Sequence, residues 1–163
     1  MTTLLIVMAL MVAIDRLLGR VGAPAEPAAA TYRRAARARR RGELAARARR
    51  RAPGRLAYLA TDTGWAATAS RRRLGVQPIE VTTIVGSVDA QKAEAFDAQW
   101  RPPSFSRGRW TLLCAAFRRG DALPPIAVYR VGAHHYVRDG HHRASVARVA
   151  GAHAIDADVV ELG

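Results

Sequence analysis

Cysteine is all but missing from this chain. Cys114 is the one thiol in 163 residues, which excludes an internal disulfide and any cysteine-based metal spacing. Its neighbours, Leu112-Leu113-Cys114-Ala115-Ala116, read as a buried helix face on which it is a small core residue. A single thiol fits a reducing cytoplasm. Lysine is equally scarce: Lys92 stands alone among 26 basic residues, the rest being Arg. Aromatics make up 6% of the chain, so the core must be modest, and alanine carries much of the 50% hydrophobic content. No apolar run reaches the roughly 20 residues that cross a bilayer; Leu4 to Ile14 has eleven. No basic side chain precedes it and no small-residue cleavage site follows closely, which argues against a standard secretory signal. Three readings of residues 1–20 stay open: a short membrane anchor with the basic segment on the cytoplasmic side, a helix packed on a partner, or translated upstream sequence without a structural role. The cytoplasmic reading is favoured.

What is present is positive charge, unevenly spread. The formal net charge is +13. Thr31 to Arg55 holds eleven Arg against one acid, Glu43, which gives +10; Val76 to Gly163 holds ten basic residues against nine acids, which gives +1. The charge therefore sits in an N-terminal arm. An arm of this kind suits a nucleic-acid phosphate backbone or an acidic membrane, and a solvated charged helix is the plainer alternative.

Three segments follow from these contrasts: a short hydrophobic segment (1–20), a linker with an Arg-rich helical arm (21–73), and a folded domain (74–163). Gly19 to Ala30 has two Pro and two Gly and reads as linker. Ala28 to Arg51 has strong helix propensity. Tyr32 and Leu44 are its only apolar side chains larger than Ala, so the helix is expected to stand off the domain, fray, or order on a partner. Arg33, Arg37, Arg40, Arg47 and Arg51 are its candidate nucleic-acid contacts. Arg55 to Arg73 is ambiguous between a short helix and a cover for the domain.

Within the domain, Pro78 to Val85 alternates and reads as a strand. Val88 to Trp100 has helical spacing. Arg101 to Gly108 is a candidate lid loop. Arg109 to Arg119 is a helix, with Trp110, Leu113, Cys114 and Phe117 on one face and Gly120 closing it. Ile126–Val131 and His135–Arg138 form a hairpin, His141 to Ala150 a helix, and Ile155 to Leu162 a last strand.

The chemistry concentrates where that helix begins, at Asp139-Gly140-His141-His142-Arg143. A helix start presents unpaired N–H groups and a partial positive charge, so it favours anions. Arg143 can grip a phosphate through two bonds, or form a salt bridge. Asp139 can cap the helix, or act as a Mg²⁺ ligand or general base. Gly140 lets a phosphate approach the backbone. His141 and His142 diverge by about 100° on a helix, so one ligand cannot receive both unless the first lies in the turn. His134 and His135 face opposite sides of a strand, and no metal site is predicted.

The run from Ile84 to Leu162 resembles the ParB/sulfiredoxin-like domain, often called the ParB-like nuclease domain. The likeness rests on Ile84-Val85-Gly86, on Gly120 with Leu123-Pro124-Pro125-Ile126, on the hairpin to Val137, and above all on Asp139 to Arg148. It implies a small α+β fold in which the helix after Gly140 holds nucleotide phosphates, with Gly140, His141, His142 and Arg143 as contacts. Related members bind CTP and clamp DNA, reduce a peroxiredoxin sulfinic acid with ATP, or phosphorylate serine. The partitioning branch carries Gly-Glu-Arg-Arg where this chain has Gly140 to Arg143. The sulfiredoxin branch places a Cys where this chain has His141. The kinase branch, with Asp-Gly-His-x-Arg, is the nearest match at this corner, and Glu80 is its weak counterpart for a further acid. The expectation is a ParB-like binding module for a nucleoside triphosphate, with Mg²⁺ alongside, and for non-specific nucleic acid on the arm. The alternatives are a phosphotransferase or Mg²⁺-dependent nuclease using Asp139, and a domain that meets a protein partner through Trp100–Trp110.

Overall fold

The computed structural model describes residues 26–64 and 70–163; the apolar segment 1–20 and Trp65 lie outside them. Helix α1 (Ala28–Ala48) leads through a two-residue strand β1 (Ala57–Tyr58) into a short helix α2 (Leu59–Thr63). Strand β2 (Arg71–Glu80), a 3₁₀ turn (Val81–Thr83) and strand β3 (Ile84–Ser87) follow, then α3 (Ala90–Ala95) and α4 (Arg107–Arg119). The hairpin β4 (Ile126–Val131) and β5 (His134–Asp139), helix α5 (His141–Ala150) and strand β6 (Ala154–Leu162) complete the chain. The architecture is mixed α and β, built on one six-stranded sheet of order β1-β3-β5-β4-β6-β2.

Alternation along the central strands sorts their side chains between two faces. Ile126, Val128, Val137, Ala157 and Val159 point to one face and pack with Phe96, Trp100 and Ala144. Tyr129, Tyr136 and Leu162 point to the other, against Leu59 of α2. A third cluster, Tyr32, Trp110, Cys114 and Val146, joins α1, α4 and α5. Cys114 is fully buried there, and burial pushes its thiol pKa up.

Four expectations change. The strand foreseen over Pro78–Val85 is two strands, because the chain makes a 3₁₀ turn at Val81–Thr83 and crosses from one edge of the sheet to β3. The helix foreseen over Val88–Trp100 stops at Ala95. Trp100 takes φ +61°, an unusual conformation for a bulky residue. Its indole N–H donates to the Ile84 carbonyl (3.0 Å), and its own carbonyl accepts from Ser145 Oγ (2.5 Å). Those buried bonds outweigh helix continuation.

Third, α1 docks. Tyr32 is buried, lies edge-on to Trp110 (5.7 Å, 61°), and its hydroxyl reaches the carbonyls of Pro103 and Ser104, both at 3.1 Å. Arg39 donates to the carbonyls of Ala95 (2.6 Å) and Arg101 (3.4 Å), and Arg118 to Thr31 Oγ1 (2.8 Å). The helix needs little apolar area because one aromatic and three polar ties hold it. Fourth, those ties pin the 101–108 loop, with Pro102 and Ser106 buried, so it packs under α1 instead of standing as a lid.

Residues ahead of position 74 also enter the sheet. Ala57–Tyr58 pair in parallel with Gly86–Ser87, and Arg71–Arg73 pair with Val160–Leu162. Gly86 permits the first pairing: a Cβ there would stand 2.2 Å from the Ala57 carbonyl oxygen.

Candidate functional site

Strand β5 delivers Asp139 to the end of the sheet, and Gly140 turns the chain into α5 with φ +92°. A Cβ at Gly140 would lie 2.6 Å from Ile126 Cγ2 and 3.0 Å from Arg143 Nη2. Conformation and packing thus both require glycine. Arg143 donates from Nη1 to the carbonyls of Pro124 (2.5 Å) and Pro125 (2.8 Å), and from Nη2 to Asp139 Oδ2 (2.7 Å). One guanidinium therefore ties the approach to β4, the end of β5 and the start of α5. Its side chain is 15% exposed, whereas that of Asp139 is 80% exposed. Among the described residues no side chain caps α5. Asp139 is paired with Arg143 instead, so the capping reading does not hold.

The two histidines part company. His141 turns inward and its Nε2 meets Ser87 Oγ at 2.8 Å; the same oxygen accepts from the Asp89 N–H (2.9 Å). Its ring stacks on Phe96 (6.3 Å, 23°) and lies beside Trp100. Burial, and next Lys92, lower its pKa to about 4, while Asp89 and Asp139 pull weakly upward. His142 sits edge-on to Phe96 at 5.5 Å. Burial, then Arg109 and Lys92, lower its pKa also. Neither ring offers a cation at neutral pH. His142 Nε2 is buried with no hydrogen-bond partner among the described residues.

The corner therefore gathers Asp139, Gly140 and Arg143 and sends His141 into the core. It presents first-turn N–H groups, while its cation is already engaged. A phosphate there would compete with the Asp139 carboxylate for Arg143. A Mg²⁺ ion would find one carboxylate, itself paired with Arg143, and among the described residues no three His, Cys, Asp or Glu side chains gather to hold a metal. The corner is not built to hold Mg²⁺ by itself. Glu80 ends β2 and accepts from Thr82 Oγ1 (3.3 Å).

The second candidate lies on the arm. Arg33, Arg37, Arg40, Arg47 and Arg51 are all exposed, and none forms an ion pair with a described residue. Arg34 by contrast pairs with Glu26 and Arg39 with Glu43. Arg33, Arg37 and Arg40 share one face of α1 and line a cleft of about 160 Å³ with Tyr32, Ala36 and Arg107. Arg107 opens α4 and escapes sequence reasoning, since it sits in what reads as a loop. Trp100 and Trp110, foreseen as a partner surface, are in the core; Phe105 is the exposed aromatic of that stretch, at 79%. A larger cavity of about 370 Å³ is lined by Arg55, Tyr58, Asp62 and Glu94 among others. No corner residue reaches it, Arg55 pairs with Glu94, and Asp62 accepts from Tyr136.

No family model matches the chain, and no curated protein does. Among solved structures it is similar to sulfiredoxin from Arabidopsis thaliana, at 17% identity and a TM-score of 0.39, over 52% of this chain and 82% of that one. A likeness of that size carries no statement about activity. Among the described residues no helix is long and apolar enough to cross a membrane.

Proposed function

We propose that the protein is a nucleic-acid-binding module in which the arginines of α1 hold the phosphate backbone without sequence preference. One observation carries this reading: a docked helix holds Arg33, Arg37, Arg40 and Arg47 exposed, with Arg51 exposed just past its end, none of them in an ion pair with a described acid. Nucleic acid is the polyanion that such a row fits, and each phosphate contact releases counterions and steepens the salt dependence of binding. Deleting the arm is a poor test, because Tyr32 and Leu56 belong to the core. The test is instead the full chain with Arg33, Arg37, Arg40, Arg47 and Arg51 changed to Gln, titrated with DNA at low salt. The reading expects binding by the native chain and its loss in the variant. It fails if the native chain does not bind, or if the variant binds as well.

The same reading places a nucleotide phosphate at the first turn of α5, with Arg143 released from Asp139 to grip it. The uncapped helix start supports this. Asp139→Asn should then tighten nucleotide binding, seen as a larger thermal shift with nucleoside triphosphates and Mg²⁺ supplied together. The enzymatic alternative has the exposure of Asp139 in its favour, and it expects nucleotide turnover or DNA cleavage that Asp139→Asn abolishes. No turnover with ATP, CTP or GTP and no cleavage would exclude it.

A further inference from the structure

The cleft between α1 and the start of α4 combines features that the arm alone does not have. Its charged lining is Arg33, Arg37, Arg40 and Arg107, with no carboxylate. The three α1 arginines are spaced i, i+4, i+7, so they climb one face in steps of about 6 Å and about 4.5 Å. Arg107 faces them from another element. Four guanidinium groups about one cleft repel each other unless an anion joins them. Two of them, Arg107 and Arg40, act with Arg39 to pull the Tyr32 phenol pKa down against the burial that raises it.

Two further features adjoin the cleft. Ser106, at the N-cap position of α4, does not cap that helix; its hydroxyl donates to the Pro103 carbonyl at 2.9 Å. The first N–H groups of α4 thus add partial positive charge beside Arg107. Next to it stands Phe105. The Tyr32 hydroxyl holds the Pro103 and Ser104 carbonyls, so Phe105 follows two backbone groups tied to a residue that lines the cleft, and it precedes Arg107 by two positions. Among the described residues Phe105 is the most exposed of the large hydrophobic side chains, at 79%.

We infer that this cleft binds single-stranded nucleic acid, with the backbone among the four arginines and a base stacked on Phe105. The inference deepens the nucleic-acid reading of the arm and rests on it. A cleft of about 160 Å³ has room for a backbone phosphate, and the choice between single strand and duplex rests on Phe105. A duplex keeps its bases stacked inside, so it gives an isolated exposed aromatic nothing to stack on, whereas a single strand offers every base.

The experiment uses the full chain and fluorescently labelled oligonucleotides of mixed sequence, single-stranded and as the matching duplex, with anionic-lipid vesicles as a third probe. The expected result is preference for the single strand. Phe105→Ala should weaken it about tenfold with the salt slope unchanged, and Phe105→Tyr should restore it. Arg107→Ala should lower the salt slope by about 0.7. Both residues are exposed, and thermal melting checks that each variant stays folded. If Phe105→Ala and Arg107→Ala bind unchanged while Arg47→Ala with Arg51→Ala weakens binding, the cleft assignment falls and the arm reading stands. A duplex bound as tightly as the single strand has the same consequence. If neither nucleic acid binds, or vesicles alone do, both readings fall.

Discussion

At neutral pH the imidazoles of His135 and His141 carry no charge, since burial holds each pKa near 4. The Thr83 hydroxyl donates to the Glu80 carbonyl (2.7 Å), so His135 must donate from Nδ1 to Thr83 Oγ1 (2.8 Å). Both rings are therefore neutral partners in the fold. The unfolded chain takes up protons near the ordinary value of about 6.5, and the folded chain does so only near 4. Their contribution is full above pH 6.5, declines as pH falls, and is gone below about pH 4. For His141 the loss is on the order of 3 kcal/mol. Urea denaturation at pH 7 and pH 4.5 should show a smaller acid loss in His141→Gln, which can still meet Ser87 but does not titrate. An undiminished loss would remove His141 from that account. Gly140 sets a second limit at this scale. Gly140→Ala forces a side chain to φ +92° and against Ile126, and should cost about 2–4 kcal/mol. A variant as stable as the native chain in urea would contradict the packing described.

Among the elements, α1 answers most directly to one side chain. Tyr32→Phe removes only the hydroxyl and should cost about 1 kcal/mol. Tyr32→Ala also empties the space against Trp110 and should cost about 3–5 kcal/mol. Limited trypsin digestion reads the difference, because the arm is rich in Arg. The native arm and Tyr32→Phe should resist cleavage within α1, and Tyr32→Ala should be cut there first. Equal cleavage of all three would mean that α1 does not depend on this contact. That dependence was not legible in the sequence, since the aromatic count of α1 says nothing about what waits across the interface. The hairpin β4–β5, helix α5 and the face of α4 were legible, because their periodicity is unbroken and Gly120, Gly140 and Gly151 mark their ends. β2 was hidden for a different reason. It is an edge strand, so Arg71, Arg72 and Arg73 stay exposed and no alternation shows. β1 has only two residues, too few for any pattern. At the corner the residue types were legible, but which way His141 turns depends on Ser87, 54 positions away.

Across the whole molecule, charge and stability pull in opposite directions. Val76 to Gly163 carries a net +1, while α1 gathers arginines at i, i+3 and i, i+4, where like charges destabilise a helix by about 0.2–0.5 kcal/mol per pair. Arg37 alone has such neighbours at positions 33, 34, 40 and 41. A helix kept for structure alone would lose no described contact by exchanging Arg33, Arg37, Arg40 or Arg47 for Glu or Gln; retaining their charge makes sense where a polyanion compensates it. The consequence is measurable without any ligand. Added salt screens repulsion between exposed charges, so the melting temperature of the native chain should rise between low and moderate salt. In the variant with Arg33, Arg37, Arg40, Arg47 and Arg51 changed to Gln, the temperature at low salt should be higher, by about 1–2 kcal/mol of stability, and its salt response flatter. A short single-stranded oligonucleotide should raise the native chain's melting temperature at low salt in the same direction and leave the variant's unmoved. If the variant is less stable and keeps the full salt response, the arginines of α1 are part of what holds the helix down, and the strain assigned to them is wrong.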